Sequence, residues 1–157
     1  MAPLASIRLV DPAVSIRPYA RSDEDAVIGV WSRSSTLAHP FVEGEGTGRR
    51  EVEMREIYLV QADNWVAQTQ SGEIVGLLGM LGTEIGGLFV DPAAQGHGIG
   101  RQLVEHAARL HGDLTVEVYE LNQRARQFYA YLDFVPAGQR LEEDTGLTLL
   151  KLRRQAG

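Results

Sequence analysis

The stretch LFVDPAAQGHGIGRQLVEHA, Leu88 to Ala107, restricts the fold more than any other part of the chain. An apolar run ends at Val90, Asp91-Pro92 makes a turn, and glycines at 96, 98 and 100 lead into a segment whose apolar positions, Leu103, Val104, Ala107 and Leu110, recur at helical spacing. A strand that turns through glycines into a helix sets several backbone N–H groups at a helix N-terminus, and such a place binds anions. The glycines let the backbone approach a phosphate with no Cβ in the way, the helix dipole adds partial positive charge, and Arg101 adds a cation at the rim. Tight packing between the strand and the helix is the competing explanation for the same glycines.

The rest of the chain fills in a sheet around this junction. VSIRPY, Val14 to Tyr19, reads as a strand, and Asp23 is placed to cap a helix from about Glu24 through Val27, Ile28 and Trp31. STLAHPFVEGEGTG reads as a loop that separates this helix from a second one at about Arg50 to Val60. NWVAQTQSGEIVGLLGML reads as two strands joined at Ser71-Gly72, followed by the strand TEIGGLFV, in which Gly86-Gly87 marks a bulge or a close backbone approach. LTVEVY is the next strand, NQRARQFYAYL the next helix, and FVPAG with LTLLKL the last strands. The expected fold is a mixed α/β sheet covered by helices, with residues 1–13 as an extension and 14–157 as one domain.

Composition narrows the function. With no cysteine, disulfides, thiolate metal sites and thiol nucleophiles are excluded. Fifteen basic against twenty-one acidic residues give a charge of −6 without a basic block, so nucleic acid is not an expected partner. No signal-peptide core and no run of eighteen apolar residues is present, so the chain is expected to be cytoplasmic and to make no membrane contact. His106 and His111 have no acidic partner at ligand spacing, and no metal is expected.

Spacing separates the anion-binding motifs. A Walker loop would end in Gly-Lys-Ser/Thr, and a dinucleotide fingerprint would have glycine where Arg101 stands, with Glu117 or Glu120 as its arguable acidic residue. Gln95, Gly98 and Gly100 instead match Q/R-x-x-G-x-G/A after LFVDP. Together with NQRARQFYAYLDF, where Asn122, Ala125, Phe128, Tyr129, Leu132 and Phe134 fall in register, this resembles the GNAT family of N-acetyltransferases from about Ile16 to Lys151. WSRSSTLAHPF looks like the small bacterial branch. Asp133 departs from the pattern, since the family usually has glycine there.

The resemblance implies a mostly antiparallel sheet with a splayed strand pair, helices on both faces, and acetyl-CoA as cosubstrate. It implies that the peptide groups of Leu88, Phe89 and Val90 pair with the pantetheine arm. Gln95, Gly96, His97, Gly98, Ile99, Gly100 and Arg101 would form the pyrophosphate loop, with Asn122 and Phe128 also lining the coenzyme. Tyr129 is carried to the general-acid position, where a phenol of pKa about 10 stays protonated; a core tyrosine beside Phe128 is the plainer reading. Glu84 stands at the position of the base, or is a solvated strand end. His39 in AHPF competes for that role or is structural.

The expected reaction is direct transfer to the primary amine of a small molecule or a protein, and a homodimer is expected from family habit. The rival from another class is a sensor that binds acetyl-CoA without turnover.

Overall fold

The computed structural model describes residues 13–38 and 49–157. His39, most of the expected loop STLAHPFVEGEGTG and residues 1–12 of the expected extension lie outside the described residues.

Seven strands form one sheet in the order β1-β2-β3-β4-β5-β7-β6. They are β1 (Val14–Pro18), β2 (Asp63–Thr69), β3 (Ile74–Leu81), β4 (Glu84–Val90), β5 (Leu114–Tyr119), β6 (Val135–Leu141) and β7 (Thr148–Arg154). Every neighbouring pair is antiparallel except β4 and β5. A parallel pair needs a crossover, and the long amphipathic helix after the glycine loop supplies it.

The helical segments are α1 (Glu24–Ala38), α2 (Arg49–Glu53), a π-helical turn (Met54–Tyr58), α3 (Leu59–Gln61), α4 (Ile99–His111) and α5 (Gln123–Tyr131). They cover both faces because the central strand is apolar on both. Val75 to Met80 are all buried, and successive side chains of a strand point to opposite sides. Leu78 and Met80 pack with Leu103, Val104 and Ala107 of α4 and with Tyr129 and Leu132 around α5. Leu77 packs with Val27, Ile28 and Trp31 of α1, Met54 and Leu59. These two sides are called the α4 face and the α1 face below.

Asp23 does not cap α1 as expected. Its carboxylate accepts from both Nη atoms of Arg17, at 2.8 and 2.9 Å, and from the Ala20 amide at 2.8 Å, closing a 3-10 turn ahead of the helix. The charged fork of arginine is the stronger donor for a nearly buried carboxylate. The second expected helix is present but broken by the π turn.

The cleft arises where β4 leaves β5. Their ladder has only two pairs, Glu84 with Thr115 and Ile85 with Val116. On the other side of β4 the register slips so that Gly79 faces Gly87 and Met80 faces Ile85, leaving Gly86 as the extra residue. Such a bulge bends its strand and increases its twist. A Cβ at Gly86 would stand 2.9 Å from Leu81 Cδ1, and one at Gly87 2.8 Å from Phe89 Cε2. The two glycines therefore set the bend that opens the sheet.

Candidate active site

The glycines of the loop answer to two separate requirements. Gly96 and Gly98 have φ of 87° and 78°, the left-handed region that L side chains rarely adopt, and no atom lies within 4 Å of a Cβ built on either. Gly98 is the N-cap of α4, so the first amides of that helix open onto this space. Gly100 differs: a Cβ there would lie 3.1 and 3.2 Å from the Phe128 ring, so this glycine makes room for α5 rather than for a phosphate.

Gln95 folds back, its Nε2 donating to the Val90 carbonyl at 3.1 Å, which ties the loop to the end of β4. Ile99 is buried in the core beneath the loop, His97 and Gly100 are half-buried, and Arg101 is exposed. Asp91 begins the loop. Its Oδ1 accepts from the Ala93 amide at 3.2 Å, and Arg33 of α1 donates to its Oδ2 at 2.6 Å, holding the carboxyl below the usual range.

Leu88, Phe89 and Val90 pair with β3 on one edge and have no ladder partner on the edge toward β5. Backbone polar groups in that position need a partner, and an extended amide-bearing arm can supply one. An open loop lined by helix amides next to an unpaired strand edge fits a pyrophosphate followed by a pantetheine chain.

Tyr129 lies on the α4 face, 5% exposed. Its ring stands edge-on to Phe128 at 5.0 Å and to Phe134 at 5.1 Å, and its hydroxyl has no hydrogen-bond partner among the described residues. Burial raises its pKa, so the hydroxyl stays protonated through the neutral range. The ring is part of the core, as the plainer reading of the sequence has it. Asn122 caps α5, its Oδ1 accepting from the Ala125 amide at 3.0 Å. Asp133 ends that helix in the left-handed region, with φ of 72°, where glycine is usual.

The α1 face of β5 carries groups that the motifs do not single out. Val116 and Val118 enter the α4-face core, so Thr115, Glu117 and Tyr119 point the other way. Glu117 is the first residue beyond the last pair with β4, at the apex of the opening. Its two oxygens accept from Arg140 Nε and Nη2 of β6, both at 2.8 Å, which holds the carboxyl below its usual range.

Glu84, adjacent to buried Ile85, points to the same face, is half-buried, and makes no ion pair among the described residues. Its charge reaches the Arg140 guanidinium. Tyr119 donates to Glu142 Oε1 at 2.8 Å, and Thr145 Oγ1 donates to the same atom at 2.7 Å. Burial first, and the bond to Glu142 second, push the Tyr119 phenol up to about 12. On this face Arg50 of α2 reaches Tyr119 of β5, and Tyr119 and Leu149 are buried together, while Lys151, Arg153 and all of β6 are exposed among the described residues.

The strand LTVEVY contained the signal for Glu117 and Tyr119, because period-two alternation puts them on one face. Nothing local pointed to Arg140, which reaches Glu117 only across the intervening β7.

His106 stands edge-on to Trp65 with centroids 4.4 Å apart, and His111 is exposed at the end of α4. Among the described residues no three His, Asp or Glu side chains gather as a metal site would require. No helix among them is long and apolar enough to cross a membrane.

Comparison with known proteins agrees with this architecture. Residues 60–136 match the model of the acetyltransferase (GNAT) domain. The peptidyl-lysine N-acetyltransferase YjaB of Salmonella typhimurium is 35% identical over 133 residues, covering 85% of this chain and 91% of that protein. The peptidyl-lysine N-acetyltransferase YiaC of Escherichia coli is 34% identical over 115 residues, 73% of this chain and 78% of its own. Among solved structures, apo-form YjaB from Escherichia coli superposes with a TM-score of 0.82 at 31% identity, over 92% of this chain and 99% of that one.

Proposed function

The chain belongs to the GNAT acetyltransferase family, and on that premise we propose that it transfers the acetyl group of acetyl-CoA directly to the side-chain amine of a protein lysine. The observation that carries this reading is the opening between β4 and β5, with a protonated phenol on one face and carboxylates on the other. The relatives named above, which act on peptidyl-lysine, supply the acceptor class.

Acetyl-CoA is the acyl donor in this scheme. The amides at the start of α4 hold its pyrophosphate, and the free edge of Leu88 to Val90 holds its pantetheine arm. The acceptor approaches on the α1 face, beside the exposed residues of β6 and β7. Its nitrogen must lose a proton before it can attack, and Glu84 takes that proton, directly or through one water. Glu84 is half-buried and makes no ion pair among the described residues, whereas both oxygens of Glu117 are taken up by Arg140. Tyr129 gives its proton to the departing sulfur. No cysteine is available to carry the acetyl group, which supports one-step transfer.

The test is to incubate the full chain with acetyl-CoA and lysine-containing peptides, following thiol release and the mass of the peptide. Stoichiometric thiol release with one acetyl group per lysine is expected. Tight acetyl-CoA binding without thiol release for any amine offered would overturn the transfer reading, and transfer to small amines alone would overturn the lysine reading.

A further inference from the structure

The Glu117–Arg140 pair has an uneven structure. The carboxylate is fixed on a central strand with its side chain 24% exposed, whereas the guanidinium comes from the edge strand β6 and is 55% exposed. Both donors meet both oxygens, so the pair is bidentate and well aligned. Glu84 and Glu142 add to the negative field at the same guanidinium, while Lys151 of β7 is the other cation acting on Glu117. Thus one flexible cation from the rim closes over a fixed carboxylate at the apex of the cleft.

We propose that Arg140 holds the place of the acceptor's ammonium in the empty enzyme, and that the acceptor docks by replacing the Arg140 guanidinium on Glu117. The proposal rests on the acetyl-transfer reading above and adds the residue that governs acceptor affinity. A cation exchanged for a cation leaves the carboxylate paired throughout, so no buried charge is stranded during entry. The released guanidinium returns to water at small cost because it is already more than half exposed. The exchange also sets a threshold for entry: a neutral amine or an alcohol does not displace the guanidinium, and a charged lysine does. Glu84, beside the exchanged cation, then receives the proton.

Steady-state kinetics with acetyl-CoA and Nα-acetyl-lysine methylamide test this on the wild type and Arg140→Met. The Arg140→Met variant should lower the acceptor's KM about threefold to tenfold, the scale of an exposed ion pair, with the KM for acetyl-CoA unchanged. Methylguanidine should compete with the acceptor in that variant at concentrations that leave the wild type unaffected. A raised acceptor KM, or a lowered kcat with KM unchanged, would mean that Arg140 merely props Glu117 and would overturn the exchange.

The Arg140 Nε–H resonance gives a reading independent of turnover. Titration of coenzyme-A-loaded protein with the lysine amide should move it to the position of a free guanidinium, and a signal unmoved at saturation sinks the proposal. If the resonance moves but the wild type transfers no acetyl group, the transfer reading fails while the exchange stands.

Discussion

Replacing Gly100 by alanine adds one methyl group at the second residue of α4. The built Cβ lies 3.1 Å from Phe128 Cζ and 3.2 Å from Cε1. Ordinary carbon contacts are about 3.5–4.0 Å, so the ring must retreat by roughly 0.3–0.5 Å. It cannot retreat alone, because it stands edge-on to Tyr129 at 5.0 Å, and Tyr129 stands on Phe134 at 5.1 Å in a buried cluster. Alanine gains about 1 kcal/mol over glycine inside a helix, and overpacking costs about 1–3 kcal/mol, so the net loss of stability should be about 0–2 kcal/mol. Tm should fall by no more than roughly 8 °C.

The effect on catalysis should be larger in proportion. A misplacement of 1 Å can cost about 100-fold, so a Tyr129 shift of a few tenths of an ångström should lower kcat about threefold to tenfold. Acetyl-CoA affinity should stay near the wild type, since the new methyl points at α5 and away from the open loop. Gly98→Ala is the control: a left-handed φ of 78° costs an L residue about 1–2 kcal/mol, and the loop that relaxes to avoid it loses its aim at the pyrophosphate. Its acetyl-CoA Kd should rise tenfold or more. Thermal unfolding, calorimetric titration of acetyl-CoA and steady-state kinetics on the two variants decide the matter. Were Gly100→Ala to lose coenzyme affinity like Gly98→Ala while keeping its kcat, the packing argument through Phe128 would be refuted.

Tyr129→Phe should lower kcat by about 10²-fold to 10⁴-fold with acetyl-CoA affinity kept, measured by single-turnover transfer; wild-type turnover would leave the ring as packing alone. Asp133→Gly should stabilise by about 0.5–1 kcal/mol and Asp133→Ala destabilise by a similar amount, because the left-handed φ is retained in both; denaturant midpoints check the opposite signs. His106 has a lowered pKa, from desolvation first and Arg109 second, so the unfolded chain binds its proton more readily than the fold does. Its contribution is present above pH about 6.5 and is lost as pH falls below that value, and His106→Phe should flatten the decline between roughly pH 7 and 5 in thermal melts.

How much could be read from the sequence depended on the range of the interaction involved. Gly96 and Gly98 were legible because a turn into a helix fixes their backbone locally. Gly100 was legible as necessary, yet its reason lies in Phe128, twenty-eight residues away. The bend at Gly86-Gly87 was visible as a break in a strand, and its partner strand emerged only from the pairing with Gly79. Asp23 looked like a helix cap since nothing in a linear reading weighs Arg17 on the preceding strand as its competitor. The face shared by Thr115, Glu117 and Tyr119 follows from alternation, whereas Arg140 depends on the order β5-β7-β6, which no local pattern encodes.

The short ladder between β4 and β5 has a thermodynamic corollary. Five residues of a central strand, Gly86 to Val90, lack the neighbour that would protect their outward amides, so this strand should exchange hydrogen with solvent faster than β3 beside it. A pantetheine arm laid along that edge, as proposed above, would take the position of an eighth strand, and its binding energy would become folding energy for the sheet. At a hundredfold excess over Kd the linkage amounts to about 2.7 kcal/mol, with slowed exchange concentrated at Leu88 to Val90 and little change in β1. On the proposed reading, the donor would supply cohesion along the edge that β5 leaves unpaired.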